Sequence, residues 1–521
     1  MNDAATRTKR RKSVSQRLIA LLFVSLALTA CASVPLDTPK ESSYAISPTA
    51  NEAEFAAVRD WLDGRDDVSG FYPLSQGFDA FGARLRLIDL ADSTIDAQYF
   101  LMKPDDAGFT FLAKLLEAAD RGVRVRLLLD DVFTTMDDVY LGSLDVHPNV
   151  EVRIFNPIAR KGIYAFNYLG HFSLLNRRMH NKAFIADNLV AIVGGRNIAV
   201  EYFQLETTGE FLDFDMLSAG RIVADVSTQF DTYWNHSLAV PIDLLYDEGN
   251  SEEINAARAR LDRQMEEAGD SIYGRATTTP LMEQLVSNEV GPYVAEGRLI
   301  ADDPQKLLEK VSREQQTVVN ELGAVLAEAD DIIYILTPYF IPRKGGIEFI
   351  RKLREKGVRV VVLTNSLATN NHTSVHSSYS SYRKDLLRAG VELWEARADA
   401  AKITTPEGET QLEKLTLHTK GILIDDDTVF VGSLNLDPRS IDINTEMGIL
   451  IRSPELVGQM TDQAAENIAA IAYRLELDEN EKIVWRATVD GEEIVETKEP
   501  QTTGWQRFTA WFLKILPESQ L

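Results

Sequence analysis

The chain has very few of the residues that build disulfides or metal sites. Among its 521 residues there are one cysteine, Cys31, and seven histidines. A single cysteine excludes an intrachain disulfide, and no group of histidines and cysteines has the spacing of a zinc site. We therefore expect no metal centre.

Basic residues are scarce relative to acidic ones. The chain has 54 lysines and arginines against 79 aspartates and glutamates, and its formal net charge is −25 at pH 7. Such a chain should not bind nucleic acid or anionic lipid indiscriminately. An anionic substrate would have to be gathered by a local basic patch.

One stretch could form that patch, because residues 152–186 contain no aspartate or glutamate and interleave basic with aromatic side chains. The basic residues are Arg153, Arg160, Lys161, Arg177, Arg178 and Lys182, and the aromatic ones are Phe155, Tyr164, Phe166, Tyr168, Phe172 and Phe184. This composition suits a lipid interface, and it also suits stacking on single-stranded nucleic acid. A partly buried loop with ordinary surface arginines is the third interpretation.

Long apolar runs are also lacking, and the one near the N-terminus is short. Residues 18–30 are apolar and follow six basic residues, an arrangement typical of a signal peptide and too short to span a bilayer. The run ends in Leu-Thr-Ala before Cys31, which resembles a bacterial lipobox. We predict a lipoprotein signal peptide over residues 1–30 and lipidation of Cys31. Because Ala32 follows the cysteine, we expect attachment at the periplasmic face of a Gram-negative outer membrane. A chance cysteine after an ordinary signal or anchor is the alternative.

The chain is long enough for two domains, and its pattern of elements repeats at a period of about 240 residues. In each half an apolar strand, a helix and a second apolar strand precede a histidine motif, which predicts α/β layers with a mixed sheet. The predicted segments are a signal peptide (1–30), a polar tether (31–55), a first domain (56–242), a charged helical connector (243–315), a second domain (316–490) and an amphipathic C-terminal tail (491–521). The tail helix either docks on the body or lies in a membrane interface.

Two segments share one pattern at identical offsets. The first comprises His180, Lys182, Asp187, Gly194 and Asn197, and the second comprises His418, Lys420, Asp425, Gly432 and Asn435. The residue after the glycine is Gly195 in one copy and Ser433 in the other. Because both copies follow the same strand–helix–strand unit, the pattern indicates phosphoryl transfer in a site built from two similar halves.

The residue types in the motif fit that chemistry. Period-two alternation places the histidine and lysine of each copy on one strand face, and each aspartate falls in a hairpin turn. Glycine permits close approach of the backbone to a phosphate, and asparagine can donate its amide to the same anion. One histidine could attack phosphorus while the other protonates the leaving alcohol, with the lysines around the non-bridging oxygens.

Each imidazole also needs a carboxylate to orient it. Glu446 follows the second motif and is the candidate there. We interpret Asp215 as its counterpart in the first half, with Asp213 as the alternative, because the spacing differs between the halves.

At these residues the chain resembles the phospholipase D superfamily, whose signature is a doubled HxKxxxxD followed by GSxN. The second motif matches in full, and the first has Gly195 in place of the usual serine. Residues 96–100, 176–182, 193–197, 365–368 and 437–447 resemble bacterial cardiolipin synthases of the type without N-terminal transmembrane helices. The resemblance covers roughly residues 70 to 518.

The resemblance implies two tandem phospholipase D-like domains, each a mixed β-sheet flanked by helices, related by pseudo-two-fold symmetry and using no cofactor. The implied catalytic residues are His180, Lys182, Asp187, His418, Lys420 and Asp425, and the implied phosphate-binding residues are Gly194, Asn197, Gly432, Ser433 and Asn435. The implied reaction transfers a phosphatidyl group to phosphatidylglycerol through a phosphohistidine, from phosphatidylglycerol or phosphatidylethanolamine, at a membrane surface. We assign His180 as the nucleophile and His418 as the acid and base.

Three other functions stay open at this point. A hydrolytic phospholipase D would differ only in using water as the acceptor, which depends on how well the site excludes water. The acidic chain weighs against a phosphodiesterase acting on nucleic acid. Intact histidine and lysine in both motifs weigh against a non-catalytic lipid-binding scaffold.

Overall fold

The structure is a computed structural model. It describes residues 34, 36, 38–47, 64–65, 67–160, 167–168, 170–205, 210–245, 251–268, 274–281, 284, 291–308, 316–400, 402–405, 408–411, 415–515 and 518. The predicted signal peptide, Cys31 and residues 161–166 of the basic and aromatic stretch lie outside these ranges. Within them, no helix is both long and apolar enough to cross a bilayer.

The strands of the described residues begin in the first half and continue through the second. They are β1 Ser69–Leu74, β2 Thr94–Tyr99, β3 Arg124–Asp130, β4 Val150–Phe155, β5 Ala183–Ala186, β6 Val190–Gly194, β7 Glu210–Leu212, β8 Asp215–Gly220, β9 Ala239–Pro241, β10 Tyr293–Ala301, β11 Ile332–Leu336, β12 Arg359–Asn365, β13 Glu392–Ala396, β14 Lys402–Thr405, β15 Gly408–Gln411, β16 Leu415–Leu417, β17 Gly421–Ile424, β18 Thr428–Gly432, β19 Met447–Arg452, β20 Ala472–Leu477, β21 Ile483–Val489 and β22 Glu492–Glu496.

The helices lie between these strands. They are α1 Gly77–Leu90, α2 Asp106–Asp120, α3 Asp138–Asp145, α4 Phe172–Leu175, α5 Val200–Phe203, α6 Arg221–Trp234, α7 Ser251–Ala268, α8 Gly274–Thr277, α9 Thr317–Glu328, α10 Arg343–Glu355, α11 Thr373–Ser380, α12 Arg383–Arg388, α13 Pro438–Asp442, α14 Pro454–Ile471 and α15 Gly504–Leu513. Two 3₁₀ turns cover Ile242–Leu244 and Pro304–Leu307.

Eighteen of the strands form one continuous mixed sheet. From edge to edge the order is β9, β4, β3, β2, β5, β6, β8, β1, β10, β19, β18, β17, β11, β12, β13, β20, β21 and β22. β2, β3 and β4 are parallel, as are β11, β12 and β13. The antiparallel pair of β1 and β10 joins the two half-sheets.

The two halves repeat one arrangement. β2, β5, β6 and β8 of the first half correspond to β11, β17, β18 and β19 of the second. The register also repeats, because Gln98 faces Ala183 and Leu336 faces Gly421, and each second partner directly follows a motif lysine. This confirms the predicted fold class of two tandem α/β domains related by a pseudo-two-fold axis.

Three apolar cores support the sheet. One belongs to the first half and packs α1 and α2 against it, for example through Phe81 and Leu112. Another belongs to the second half and includes Ile350 of α10. The third contains side chains of both halves, such as Val193 and Val431. The two halves therefore share a core, which fixes the motif-bearing strands relative to one another.

Two predicted segments differ from the structure in their secondary structure. The connector over 243–315 is predicted to be helical, yet it contains β10, the strand that reaches across to β1 and β19. The charged segment within the connector is a helix, α7, but Glu296 and Arg298 are exposed on a strand that buries Ala295 and Ile300. The tail predicted from residue 491 likewise begins with β22, which pairs with β21.

The predicted tether is not free over its described part. Arg126 donates a hydrogen bond to the carbonyl oxygen of Ser43 at 2.9 Å, and Arg153 donates to that of Glu41 at 2.7 Å. The indole N–H of Trp234 donates to Oγ of Ser43 at 2.9 Å. This segment lies against the first domain because the buried guanidinium groups need acceptors.

Candidate active site

The histidine–lysine pair of each motif lies just before a central strand, β5 or β17, and main-chain hydrogen bonds tie it to the other half. The amide of His180 donates to the carbonyl of Thr445 at 3.0 Å, and the amide of Thr445 donates to Arg178 at 3.0 Å. On the other side, the amide of His418 donates to the carbonyl of Leu212 at 2.7 Å. Each motif is therefore positioned by a segment of the opposite half, just before β8 or just before β19.

The same segments carry the carboxylates that hold the imidazoles. Nδ1 of His180 lies 2.9 Å from Oε2 of Glu446, and Nδ1 of His418 lies 2.5 Å from Oδ2 of Asp213. All four side chains are buried. Each histidine is thus oriented by a carboxylate of the other half, which leaves Nε2 as the reactive nitrogen.

The prediction that Asp215 orients a histidine was wrong, and the alternative Asp213 takes that place. In the β6–β8 ladder Gly194 faces Asp215, and in the β18–β19 ladder Gly432 faces Gly448. Asp215 therefore corresponds to Gly448, and Asp213, two residues earlier, corresponds to Glu446. The carboxylate of Asp215 instead accepts from Arg84 at 2.9 Å.

The motif aspartates do not reach the site either, so their predicted catalytic role was wrong. Asp187 lies at the far end of β5 and accepts hydrogen bonds from the amides of Asp92, Ser93 and Thr94 at 2.9, 2.8 and 2.7 Å. Asp425 does the same for the amides of Asp330, Asp331 and Ile332 at the start of β11, at 2.8 to 3.0 Å. Both aspartates fasten the hairpin after the motif to the start of the neighbouring strand.

Replacing Asp187 by asparagine should therefore reduce stability rather than chemistry. Loss of the charge weakens three hydrogen bonds to buried or half-buried amides, and we expect the free energy of unfolding to fall by about 1–3 kcal/mol. Denaturant unfolding measures this, with kcat of the folded protein expected within about threefold of wild type. The exposed Asp426, in the equivalent turn of the second half, provides the control, since Asp426→Asn should change stability by less than about 0.5 kcal/mol. A kcat loss of a hundredfold without destabilisation would restore a catalytic role for Asp187.

The glycines predicted to approach a phosphate approach neighbouring strands instead. A Cβ at Gly194 would lie 2.2 Å from Oδ1 of Asp215, and one at Gly432 would lie 2.3 Å from the carbonyl oxygen of Met447. Their predicted role in phosphate binding is therefore replaced by a packing role. Ser433 is also placed differently from its prediction, because its hydroxyl donates to Glu446 and thus holds the carboxylate that orients His180.

The substitution of glycine for serine in the first motif has a local cause. A Cβ at Gly195 would lie 2.1 Å from Oδ1 of Asp213. Asp213 is shorter than Glu446, and its backbone must lie closer to His418 to make the equivalent contact. Gly195 leaves the space that this closer carboxylate occupies.

The two motif asparagines are buried and have acceptor atoms without a partner. Among the described residues, Oδ1 of Asn197 and Oδ1 of Asn435 make no hydrogen bond, while Nδ2 of Asn197 donates to the hydroxyl of Tyr202 at 2.9 Å. Rotating either side-chain amide by 180° would point its NH₂ group where Oδ1 now points, since the two ends of an amide have nearly the same shape and differ in hydrogen bonding. Both side chains are therefore suited to bind an anion that enters the site.

Burial shapes the charges of the reactive groups. Burial lowers the pKa of His180 to about 4 and that of His418 to about 3. Burial likewise lowers the pKa of Lys182 to about 7 and that of Lys420 to about 8. Lys420 contributes to the lowering at His180, and Lys182 to that at His418, so the charges of both halves act on each other.

The two carboxylates stay ionised in spite of their burial. Lys420 and His418 outweigh the desolvation of Asp213 and hold its pKa at about 2. The pKa of Glu446 is also lowered, because His180, Lys182 and the hydroxyl of Ser433 favour its charged form against desolvation. At neutral pH the free site therefore combines two neutral imidazoles with two carboxylates and at least partly charged lysines.

Aromatic rings line the site unequally, and the spacing of the motifs does not predict them. Phe100 meets the ring of His180 edge-on at 4.7 Å and contacts Phe133, which is 40% exposed. Phe211 stacks on His418 at 5.0 Å. Phe211 precedes Asp213 by two residues. Its position beside His418 could be predicted from the sequence only once Asp213 was known to orient that histidine.

Three of the described arginines of the basic and aromatic stretch bind partners within the protein. Arg178 is buried and pairs with Asp130 at 2.8 Å, and Arg160 pairs with Asp131 at 2.7 Å. Arg153 is buried as well. These residues fit the interpretation as a partly buried segment, since their guanidinium groups neutralise internal carboxylates or bind main-chain oxygens.

Comparison with known proteins gives the family. Residues 85–234 and 322–468 match the family model "Cardiolipin synthase, PLD-like domain". The chain is 37% identical over 450 residues to cardiolipin synthase C of Escherichia coli (strain K12), covering 86% of this chain and 95% of that protein. It is 24% identical over 439 residues to a cardiolipin synthase of Clostridium perfringens (strain SM101 / Type A), covering 84% and 77%.

A solved structure shares the fold. The crystal structure of phosphatidylserine synthase of Haemophilus influenzae Rd KW20 superposes with a TM-score of 0.55 at 14% sequence identity, over 88% of this chain and 98% of that one. The doubled motif, the two half-sheets and the two matched regions agree with one another. The chain therefore belongs to the cardiolipin synthase family of phospholipase D-like enzymes.

Proposed function

We propose that the protein is a phosphatidyltransferase that makes cardiolipin by transferring a phosphatidyl group from one phospholipid to phosphatidylglycerol. The observation that supports it most is the pair of buried histidines, each held at Nδ1 by a carboxylate of the opposite half. Two such groups can act on the two sides of one phosphorus. The lipid substrates come from the names of the relatives, which are cardiolipin synthases.

In the first step, Nε2 of neutral His180 attacks the phosphorus of the donor, and the P–O bond to the headgroup alcohol breaks. His418 gives its proton to the departing oxygen, and a phosphatidyl-histidine remains. The phosphodiester anion would raise the pKa of His418 on binding, so that this histidine can carry the proton. Lys182 and Lys420 stabilise the negative charge on the non-bridging oxygens.

In the second step, His418 accepts the proton of a glycerol hydroxyl of phosphatidylglycerol. The resulting oxygen attacks phosphorus, the P–N bond to His180 breaks, and cardiolipin leaves. We propose phosphatidylglycerol or phosphatidylethanolamine as the donor, with glycerol or ethanolamine as the released alcohol.

Vesicles of phosphatidylglycerol, with and without phosphatidylethanolamine, test the proposal when products are followed by mass spectrometry. We expect cardiolipin from the wild-type chain and none from a chain in which both motif histidines are replaced. Phosphatidic acid without cardiolipin would instead identify a hydrolase. Cleavage of single-stranded DNA with neither lipid product would identify a phosphodiesterase acting on nucleic acid.

The lowered lysine pKa values predict an alkaline decline in activity. As pH rises through about 7 and 8, Lys182 and Lys420 lose the positive charge that stabilises the non-bridging oxygens of the reacting phosphate. Because kcat/KM reports the free enzyme, we expect it to fall between about pH 7 and 9 in vesicle assays. Lys182→Arg keeps a positive charge over this range, so the decline should move toward the pKa of Lys420. A flat wild-type profile up to pH 10 would contradict this assignment.

We also propose attachment to the cell envelope through lipidated Cys31, on the periplasmic face of the outer membrane. The lipobox-like sequence before Cys31 supports this. Labelling with a radioactive fatty acid should mark the wild-type chain and not the Cys31→Ala variant, because acylation needs the thiol. Ala32→Ser keeps the cysteine and should remain labelled. Equal labelling of wild type and Cys31→Ala would contradict lipidation at this residue.

A further inference from the structure

The C-terminal helix α15 turns its apolar face away from the protein. Trp505, Phe508, Trp511, Phe512 and Ile515 are 72, 50, 66, 55 and 78% exposed, whereas Ala510 is buried. At 100° per residue Trp505, Phe508, Trp511 and Phe512 share one side of the helix and Ala510 lies opposite, while Ile515 follows the end of the helix. An amphipathic helix of a globular protein ordinarily buries its apolar side, so this orientation needs an external partner.

The exposed side chains form one continuous aromatic patch. Rings of Trp505 and Phe508 lie 5.6 Å apart, and those of Phe508 and Trp511 lie 6.0 Å apart. A capping box of Thr503 and Gln506 closes the start of the helix. The patch is therefore presented on a well-formed helix.

The second half of the protein holds this helix in place. α15 packs against α11, and Glu499, just before α15, pairs with the buried Arg383 at 2.5 Å. α11 follows His372, whose ring lies 5.7 Å from that of Tyr339. The patch is therefore fixed to the second half of the protein.

We propose that α15 inserts its aromatic face into the boundary between headgroups and acyl chains of an anionic phospholipid bilayer. Residues 504–515 contain Arg507 and Lys514 and no acidic residue, in a chain whose net charge is −25. Both cations lie between the aromatic face and Ala510; Arg507 donates to the carbonyl oxygen of Thr502 at 2.6 Å, and the exposed Lys514 would meet lipid phosphates. Tryptophan favours this boundary because its ring is apolar and its N–H is polar. The choice of lipid rests on the proposed function.

Quenching by brominated lipids tests the insertion directly in the full-length chain. Vesicles of brominated phosphatidylglycerol should quench tryptophan fluorescence of the wild type. The variant Trp505→Phe/Trp511→Phe keeps an aromatic face and should still bind, but it should lose most of the quenching. This readout is specific to the helix even where the N-terminus also binds the vesicles. Equal quenching of both proteins, or none in the wild type, would overturn the proposal.

A second variant measures what the insertion contributes. Trp505→Ser/Trp511→Ser should raise the apparent KM for vesicle phosphatidylglycerol by about tenfold or more and leave turnover of monomeric short-chain phosphatidylglycerol unchanged. Val495→Ser, which alters an exposed apolar residue of β22, is the matched control and should change neither.

The two proposals fail separately in these experiments. Quenching without any lipid product would remove the proposed function and leave the insertion standing. Lipid product without quenching would remove the insertion alone. A dimer that dissociates in the serine variant, seen by light scattering with no quenching, would show that a second copy of the chain covers the patch and would overturn the lipid assignment.

Discussion

His180→Asn and His418→Asn are each expected to lower turnover by about a thousandfold or more with the fold retained. Each imidazole supplies the nitrogen that forms the bond to phosphorus or carries the proton, and asparagine keeps a polar side chain of similar reach. Cardiolipin formation on phosphatidylglycerol vesicles measures the loss, and circular dichroism checks the fold. His147→Asn, in the loop between α3 and β4, is the control and should keep near-normal turnover. Activity within tenfold of wild type in either motif variant would contradict the two-histidine mechanism.

A donor with a good leaving group separates the roles of the two histidines. The p-nitrophenyl ester of phosphatidic acid needs no acid to expel its alcohol, so His418→Asn should release about one equivalent of nitrophenol and accumulate a phosphatidyl adduct. Mass spectrometry should place the adduct on His180. His180→Asn should form no adduct. The opposite pattern would make His418 the nucleophile.

Asp213→Asn is expected to lower turnover by about 10²- to 10⁴-fold, although Asp213 belongs to the first half and the histidine it holds belongs to the second. The ionised carboxylate accepts a hydrogen bond from the Nδ1–H group of His418 at 2.5 Å and stabilises the imidazolium that forms during the reaction. An asparagine amide removes that charge and permits the wrong tautomer. Steady-state turnover on vesicles measures the effect.

The same nitrophenyl donor tests how Asp213 acts. This donor needs no acid, so if Asp213 works through His418, the Asp213→Asn variant should still form the adduct at a near-normal rate. Glu446→Gln should slow adduct formation, because it impairs the nucleophile His180. Asp215→Asn is the contrast, because Asp215 pairs with Arg84 and not with an imidazole. We expect Asp215→Asn to lower the melting temperature and to keep turnover per folded molecule. A turnover within threefold of wild type for both Asp213→Asn and Glu446→Gln would contradict the crossed arrangement.

The reactive groups of the site could be predicted from the sequence because the same residue types recur at the same offsets. His180 and His418, with the lysines two residues on, are found from the spacing alone. The α/β repeat was also readable, since near-continuous apolar strands such as β3 and β12 alternate with helical patterns. The spacing of the motif residues did not show, however, which of them take part in the chemistry. Asp187 shares the motif with the histidine yet lies beyond the far end of β5, bound to main-chain amides.

For the C-terminal helix, too, the sequence predicts the element and only the structure shows its orientation. Its aromatic periodicity predicts an amphipathic helix, and the structure contains α15 at Gly504–Leu513. Periodicity does not say which side meets the body, because a helix can pack through a narrow contact such as Ala510. Only packing against α11 decided that the aromatic side faces outward.

The sequence by itself determined the two histidine–lysine pairs, the duplicated fold and the amphipathic pattern of the tail helix. Tertiary structure decided which carboxylate serves which histidine, because Glu446 and His180 are 266 residues apart and Asp213 and His418 are 205 apart. Asp213 and Asp215 differ by two residues and so share one side of an extended chain. Alternation could not separate them, and only the pairing of β6 with β8 placed Asp215 beside Gly194 and left Asp213 for the histidine.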